Sequence, residues 1–278
     1  MILALIVPFT TASGASRPQR PHLIESAAPD DIVYYFGVGS NMLRSKIVNR
    51  GLNGSTIDLI DFHPAVVKAH RLGFTMRGIP PLEPGMGSLE PCETAAEDGQ
   101  ESECHGALCT MRADEYEKLW LSEGGGQPNP GYEEVVVRAT PYGMTEEQAV
   151  PALALRTRPH ARLSVDACPS PRYMALLIGG ATELGLQEAY VDKLRATQVQ
   201  LVPGWLRALG VHYLFLVTWL FRVRGHGPAL VRALSSLLWR AYVPSTCSNA
   251  VRRWAGDLVT GLLLLPGATV GALIRLAM

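Results

Sequence analysis

The distribution of charge and tryptophan divides this 278-residue chain into two segments that cannot fold in the same way. Residues 201–278 contain eight arginines, no lysine and a single acidic residue, Asp257, which gives them a net charge of +7. They also contain four of the five tryptophans, while residues 1–200 carry the balancing charge of −7. The first segment therefore has the character of a soluble domain, and the second is apolar with arginine and tryptophan beside its apolar runs.

The overall composition excludes two classes of protein. Hydrophobic residues make up 47% of the chain and charged residues 18%, whereas disordered chains combine low hydrophobicity with high net charge. The formal net charge of zero excludes a strongly basic nucleic-acid-binding protein, so we expect no nucleic-acid partner. The length allows one or two domains with an ample core.

The chain is expected to have three parts, at residues 1–30, 31–200 and 201–278. The first part is interpreted as an N-terminal segment and linker, because it is rich in proline, serine and alanine. Its apolar start, followed by small residues, leaves a weak secretory signal as an alternative, although no basic residue precedes the run. We otherwise expect the central domain to be cytoplasmic.

Short apolar runs predict strands and helices in irregular order. Strands are expected at 31–38, 65–76 (one or two), 104–111, 133–140 and 151–157, and helices near 41–50, 112–121, 171–183 and 186–196. Residues 77–103, rich in proline, glycine and acids, are expected to be a loop. Ser170 and Pro171 predict the cap and first position of a helix. The pattern lacks regular βαβ alternation and predicts an α+β fold, a small mixed β-barrel with flanking helices.

The tail is expected to be an apolar helical C-terminal extension. Residues 208–221 and 258–274 are runs of 14 and 17 residues without Asp, Glu, Lys or Arg, and a spanning helix needs about 20. The second run contains Gly261, Pro266, Gly267 and Gly271, which predict a poor regular helix. Arginine and tryptophan beside these runs favour a membrane surface as partner of residues 201–278. The alternative is packing on the central domain or on a partner subunit.

No metal site is expected. The number of cysteines, five, is odd, and the chain lacks a C-x-x-C motif, which favours mostly reduced thiols. Cys104, His105 and Cys109 lack a second ligand pair at zinc-like spacing, so we interpret the two cysteines as buried thiols on a strand.

A glycine-rich turn follows the first predicted strand. Its residues, Gly37, Val38, Gly39, Ser40 and Asn41, could direct several backbone N–H groups at one anion. A dinucleotide-binding fingerprint needs a third glycine where Met42 stands, and no Gly-Lys-Ser/Thr motif is present. The alternative is a purely structural turn, since glycine is the default residue for tight turns.

Glu123 stands at the C-terminal end of the helix predicted at 112–121, just before three glycines. The dipole of a helix disfavours a carboxylate at that end by about 0.3–1 kcal/mol. A residue that violates a local preference is a candidate functional residue, here a general acid/base. The alternative is a solvated glutamate followed by Gly124 as an ordinary helix cap.

Five segments together resemble the gamma-glutamylcyclotransferases. YYFGVGSNMLRSKI is similar to that family's YFxYGSN signature, and CHGALCTMRADEYEKLWLSEGG to its strand, helix and catalytic glutamate segment. VVKAHRLGFTMRG, PGYEEVVVRAT and PSPRYMALLIGGATELGLQEAYVDKL resemble its other strands and C-terminal helices. The resemblance follows chain order over about residues 33–197.

The resemblance implies cyclisation of a γ-glutamyl group to 5-oxoproline with release of an amino acid or amine, without cofactor or metal. It assigns Glu123 as general acid/base and the turn through Met42 as the binder of the glutamyl group. Tyr132 matches a tyrosine of the family's pocket, and relatives of the family are often dimers. Two departures stand out: Val38 replaces the turn tyrosine, and residues 151–157 lack a strand tyrosine.

Three functions remain open at this point. The first is a γ-glutamyl cyclotransferase acting on γ-glutamyl amino acids. The second keeps the chemistry but acts on γ-glutamylamines or glutathione. The third is a membrane-tethered binding module that has kept the fold and lost turnover, as the two missing tyrosines would allow.

Overall fold

The computed structural model describes residues 21–51, 55–79, 81–92, 102–127, 129–224 and 250–277. Most of the N-terminal segment, including the run that left a secretory signal as an alternative, lies outside the described residues. The central part is a closed five-stranded barrel beside a separate two-stranded hairpin. The strands are β1 (Ile32–Gly37), β2 (Asp61–Lys68), β3 (His70–Ile79), β4 (Glu83–Pro91), β5 (Glu103–Arg112), β6 (Tyr132–Pro141) and β7 (Val150–Thr157).

The barrel follows the order β1-β5-β2-β6-β7 and closes where β1 pairs with β7. That pairing is parallel and the other four are antiparallel. The central strand β5 pairs with both β1 and β2, and its residues Cys104, Ala107 and Cys109 are fully buried. Because β5 runs directly into the following helix, the barrel fixes where that helix starts.

Helices cover the barrel from outside, and a helical extension follows. They are α1 (Arg44–Val48), α2 (Ala113–Ser122), α3 (Pro171–Glu183), α4 (Glu188–Arg195), α5 (Gly204–Arg224) and α6 (Ala250–Ala277). The predicted cap of α3 is confirmed: Ser170 Oγ accepts a hydrogen bond of 3.0 Å from the N–H of Tyr173, and Pro171 is the first residue of the helix. The α+β class, the barrel with flanking helices and the apolar helical extension are all confirmed.

The expected loop at 77–103 is wrong over part of its length, because β3 extends to residue 79 and β4 occupies Glu83–Pro91. The sequence pattern does not predict β4, because this strand contains Pro84, Gly85 and Gly87. The two glycines mark close approaches. A Cβ at Gly85 would lie 2.8 Å from the Cβ of Ala167, and one at Gly87 would lie 3.0 Å from the hydroxyl of Tyr173.

The described part of the predicted linker packs on the barrel. Ile24 is buried in the core cluster that also contains Tyr35 and Tyr116. The N–H of His22 donates a hydrogen bond of 2.7 Å to a carboxylate oxygen of Glu134. Residues 21–31 therefore contact the folded domain before β1 begins.

The expectation of a poor regular helix in the second apolar run is wrong. Helix α6 runs without interruption over 28 residues and contains Pro266. Its glycines face α5: a Cβ at Gly261 would overlap the ring of Trp205, and one at Gly271 would overlap the carbonyl oxygen of His212. Tertiary packing of two helices at close range therefore outweighs the low helix propensity of glycine.

Candidate active site

Glu123 is the residue at which α2 ends. Gly124 follows with φ of +84°, a left-handed conformation that favours glycine. A Cβ on Gly125 would overlap the ring of Trp120. The glycines therefore cap the helix, as one of the two interpretations expected, and they also leave the Glu123 side chain half-buried beside Arg50, just after α1.

One carboxylate oxygen of Glu123 is held by two donors. Asn41 Nδ2 donates a hydrogen bond of 3.0 Å to Oε1, and Arg50 Nη1 forms an ion pair with the same oxygen. The side chains of Glu123 and Arg50 are only 15% and 19% exposed. The positive charge of Arg50 offsets the unfavourable position of a carboxylate at a helix C-terminus. No described residue donates a hydrogen bond to Oε2 of Glu123, which leaves that oxygen available.

The glycine-rich turn lies beside this carboxylate. Residues Gly39–Met42 form a short 3₁₀ helix, and Gly39 has φ of +63°. Ser40 Oγ accepts a hydrogen bond of 3.1 Å from Arg50 Nη2, so Arg50 connects the turn to Glu123. The N–H of Asn41 is used within the turn, where it donates to the carbonyl of Val38 at 3.2 Å.

The other predicted turn residues lie farther from the carboxylate. Gly37 is the last residue of β1. Val38 packs against the core cluster of the barrel that contains Phe36. Met42 is 1% exposed and packs with residues of α3 and α4. The side chains of Val38 and Met42 therefore anchor the turn in the core.

Three tyrosine hydroxyls surround the carboxylate. Tyr35 accepts a hydrogen bond of 2.9 Å from Asn41 Nδ2. Gly87 connects the other two: its N–H donates to Tyr173 at 2.9 Å, and its carbonyl accepts from Tyr132 at 3.1 Å. Burial raises the pKa of each phenol, and the charge of Glu123 raises it further. All three tyrosines therefore remain protonated at neutral pH.

A cavity of about 590 Å³ opens in front of these groups. Of the residues predicted for the site, Ser40 and Glu123 line it directly. Asn41 and Tyr132 do not line the cavity. Asn41 donates a hydrogen bond to Glu123, and Tyr132 donates one to the carbonyl of Gly87. The structure thus brings the turn, Glu123 and Tyr132 to one place, although the last two follow the turn by more than 80 residues.

No group of three His, Cys, Asp or Glu residues suited to a metal ion occurs within the described part of the chain. Cys92, Cys104 and Cys109 are not disulfide-bonded, and burial raises the pKa of Cys104 to about 12. Cys168 is disulfide-bonded, so the expectation of mostly reduced thiols does not extend to it.

Three residues of this site were not singled out by the sequence patterns. Arg50 follows Asn41 by nine residues, and no local pattern indicates that it meets Glu123. Tyr35 lies within an apolar strand and has the appearance of a core residue. Tyr173 could have been found, because it is the tyrosine of the Pro-Ser-Pro-x-Tyr helix start.

Two similar proteins are named gamma-glutamyl cyclotransferase, although no family model matches the chain. The chain is 32% identical to the gamma-glutamyl cyclotransferase gliK of Claviceps purpurea over 157 residues, which cover 56% of this chain and 67% of that protein. It is 27% identical to the gliK protein of Aspergillus fumigatus over 240 residues, covering 76% and 85% respectively.

A solved structure of a protein named gamma-glutamyl cyclotransferase has the same fold. It superposes with a TM-score of 0.51 at 20% identity and covers 63% of this chain and 92% of its own. The order of the sequence motifs, the barrel fold and the similarity to the Claviceps protein all indicate the same family. This chain belongs to the gamma-glutamyl cyclotransferase family.

Proposed function

We propose that this protein converts a γ-glutamyl amino acid or amine to 5-oxoproline and the free amino acid or amine. The observation that carries the proposal is the arrangement of Glu123. One oxygen is held by Asn41 and Arg50, while the other has no donor among the described residues. A carboxylate fixed in this way at a cavity is suited to accept and return a proton.

The reaction needs two proton movements and no water. The α-amine of the glutamyl group attacks its own γ-carbonyl carbon, which forms the C–N bond of a five-membered lactam. Oε2 of Glu123 takes the proton from the attacking nitrogen and then delivers it to the leaving nitrogen as the original amide bond breaks. Because nucleophile and electrophile belong to one molecule, the enzyme mainly has to fold the substrate and move the proton.

The surrounding groups favour this role for Glu123. Arg50 and Asn41 fix Oε1, which orients Oε2. Tyr173 lines the cavity, and its protonated hydroxyl, which accepts a hydrogen bond from the N–H of Gly87, supplies a donor for the developing oxyanion. This hydroxyl compensates for Val38, which lacks the hydroxyl of the family's turn tyrosine. Together with the arrangement of Glu123, it favours a catalytic protein over a binding module without turnover.

The test measures 5-oxoproline released by the full chain from γ-glutamyl-alanine, γ-glutamyl-lysine and glutathione. We expect Glu123→Gln to lower the rate by about 10²–10⁴-fold. The matched control is Glu117→Gln, a carboxylate on the same helix that does not line the cavity. Release of 5-oxoproline that persists in Glu123→Gln would contradict the assignment. Absence of product from all three substrates, with circular dichroism showing that the protein is folded, would favour the binding module without turnover.

We also propose that the tail contacts a membrane surface with an anionic component. Asp257–Leu276 is long and apolar enough to cross a membrane, by length and composition alone, and one third of that window is buried in the structure. Its exposed apolar residues include Leu258, Leu262, Leu265, Leu273 and Leu276. This apolar face and the net charge of +7 in residues 201–278 are complementary to acyl chains and anionic headgroups.

Flotation with lipid vesicles tests this location. We expect the full chain to bind vesicles of phosphatidylcholine with phosphatidylserine more strongly than vesicles of phosphatidylcholine alone. The double variant Leu262→Gln/Leu265→Gln should lose binding, whereas Ile60→Gln/Val136→Gln, at exposed positions of the barrel domain, should retain it. Retention in both would contradict the proposal, and a dimer that dissociates only in the first variant would assign this face to a second copy.

A further inference from the structure

The cavity in front of Glu123 is not formed by the barrel domain alone. Ser40, Arg50 and Tyr173 line it on the side of the catalytic carboxylate, and residues that follow position 200 line it as well. The latter are Leu201, Val202, Arg207 and Leu214. The first segment of the tail, which the sequence assigned to an anchor or a helical extension, is therefore part of the pocket.

Helix α5 is held in this position by contacts on two sides. Toward the barrel domain, a Cβ at Gly210 would lie 2.9 Å from Cδ of Pro81, at the turn of the β3–β4 hairpin. Toward the tail, Leu206 and Tyr213 are buried in a cluster with Leu264 of α6. The wall that α5 contributes is therefore a packed element of the fold.

The charged residues of the cavity do not balance. Four basic and two acidic side chains line it. Arg50 is paired with Glu123, and Arg172 is paired with Glu83 at 2.6 Å. Within the described residues, Lys46 and Arg207 have no ion-pair partner. Two positive charges, one from α1 and one from α5, are thus available to an anionic ligand.

We propose that Lys46 and Arg207 bind a carboxylate on the leaving group, and that α5 forms the apolar wall for its side chain. The proposal rests on the cyclotransferase function proposed above and specifies its substrate class. An amino acid or peptide as leaving group carries a carboxylate close to its side chain. That combination matches a cation next to Val202 and Leu214, whereas a simple amine offers only the apolar part.

The size of the cavity supports a leaving group of some bulk. A volume of about 590 Å³ lies in the range of about 300–1,000 Å³ that is typical of pockets for drug-sized ligands. The glutamyl group occupies the end next to Glu123 and the turn. The remaining space lies against α5, where the leaving group would be placed.

The experiment compares two substrates that differ only in one carboxylate, γ-glutamyl-leucine and γ-glutamyl-isopentylamine. Release of 5-oxoproline by the full chain is measured for Arg207→Gln and Lys46→Gln, with Arg207→Lys as the conservative variant. Arg275→Gln, an exposed arginine of the tail outside the cavity, is the matched control for loss of charge.

We expect Arg207→Gln and Lys46→Gln each to lower kcat/KM for γ-glutamyl-leucine about tenfold through KM. The same variants should change kcat/KM for the isopentylamine substrate less than about twofold, Arg207→Lys should restore most of the loss, and Arg275→Gln should have no effect. An equal loss for both substrates would overturn the proposal, because the cations would then bind the glutamyl carboxylate itself. Unchanged kinetics would overturn it as well.

Binding to the Glu123→Gln protein separates this inference from the proposed function. If neither substrate yields product but calorimetry shows that γ-glutamyl-leucine binds more tightly than the isopentylamine substrate in an Arg207-dependent manner, only the cyclotransferase function fails. If product forms and Arg207 has no selective effect, only the present inference fails. If binding does not discriminate between the two ligands, the assignment of Lys46 and Arg207 is wrong in either case.

Discussion

The barrel domain and the C-terminal helix pair differ in how completely they bury their apolar side chains. In the barrel domain the exposed large apolar residues, such as Ile60 and Val136, are spread over several segments, and β1 has two of them, Ile32 and Tyr34. In the described part of α6 seven of them occur on one helix, at Leu258, Val259, Leu262, Leu265, Val270, Leu273 and Leu276. A closed barrel with outer helices covers its own core, whereas two paired helices can each bury only one stripe. The tail therefore has a second apolar surface that is available to another partner.

Both regions use glycine at close contacts, but for different reasons. In the glycine-rich turn of the candidate active site, Gly39 adopts a left-handed backbone conformation beside the hydroxyl of Tyr173. In α6, Gly271 has an ordinary helical conformation and makes room for the backbone of α5. Substitution by alanine should therefore affect catalysis in the first region and helix packing in the second.

Among the tests of this contrast between the two regions, Gly39→Ala should have the largest effect. The new Cβ would lie 2.7 Å from the hydroxyl of Tyr173, and displacement of catalytic groups by about 1 Å can cost about 100-fold in rate. The left-handed conformation adds about 1–2 kcal/mol of strain. Gly143→Ala is the control, since Gly143 has φ of +79° but no heavy atom within 4 Å of its new Cβ.

Steady-state release of 5-oxoproline and urea unfolding check this pair of variants. Both should lose stability from backbone strain, Gly39→Ala more because of its contact with Tyr173, and only Gly39→Ala should lose most of its activity. Equal activity in the two variants would show that the contact between the turn and Tyr173 does not position the site.

The second effect concerns the helix pair. Gly271→Ala would force the α6 backbone away from the carbonyl of His212, and overpacking of this kind typically costs about 1–3 kcal/mol. Hydrogen exchange measured by mass spectrometry should show faster exchange in α5 and α6 and unchanged exchange in the barrel strands. Gly179→Ala in α3, where nothing lies within 4 Å, should instead stabilise its helix by up to about 1 kcal/mol.

Slower exchange in α5 after Gly271→Ala would refute the close packing of the two helices. Faster exchange that also extended into β5 would indicate that barrel and tail unfold as one unit, and it would weaken the contrast between the two regions.

The smallest expected effect is a dependence of barrel stability on pH. Burial lowers the pKa of His105, which is 6% exposed and lies against Tyr142 and Tyr190; Glu103 opposes this shift, and Lys193 adds to it. The folded state thus binds a proton less readily than the unfolded state, whose histidine pKa is about 6.5. The stability due to neutral His105 is present above that pH and is lost as the pH falls toward the folded pKa.

Urea unfolding at about pH 7.5, above the unfolded pKa, and at lower pH measures this effect. His105→Gln should remove part of the pH dependence, whereas His63→Gln, at an exposed histidine of the neighbouring strand β2, should retain it. If the free energy of unfolding changed equally with pH in both variants, His105 would be excluded as the source of the pH dependence.

Much of the barrel and the position of Glu123, the candidate catalytic carboxylate, could be predicted from local patterns. The strands β1, β5, β6 and β7 are short β-branched or apolar runs, and α3 begins at the Ser170 cap. These elements could be predicted because their signals depend on neighbouring residues only. Strand β4 could not be predicted in this way. Gly85 and Gly87 interrupt its pattern, and a larger residue would not fit there because Ala167 and Tyr173, far along the chain, approach its backbone.

Local patterns along the chain are enough to predict the division into an acidic domain and a basic apolar tail, the turn at Gly39–Met42, and the exceptional position of Glu123 at a helix C-terminus. The folded structure is needed to see that Arg50 offsets that position, that Gly87 joins Tyr132 and Tyr173, and that α5 returns to line the cavity. The difference lies in the range of the interactions. Propensity, capping and periodicity act over a few residues, whereas an ion pair or a pocket wall depends on where the folded chain brings distant residues together.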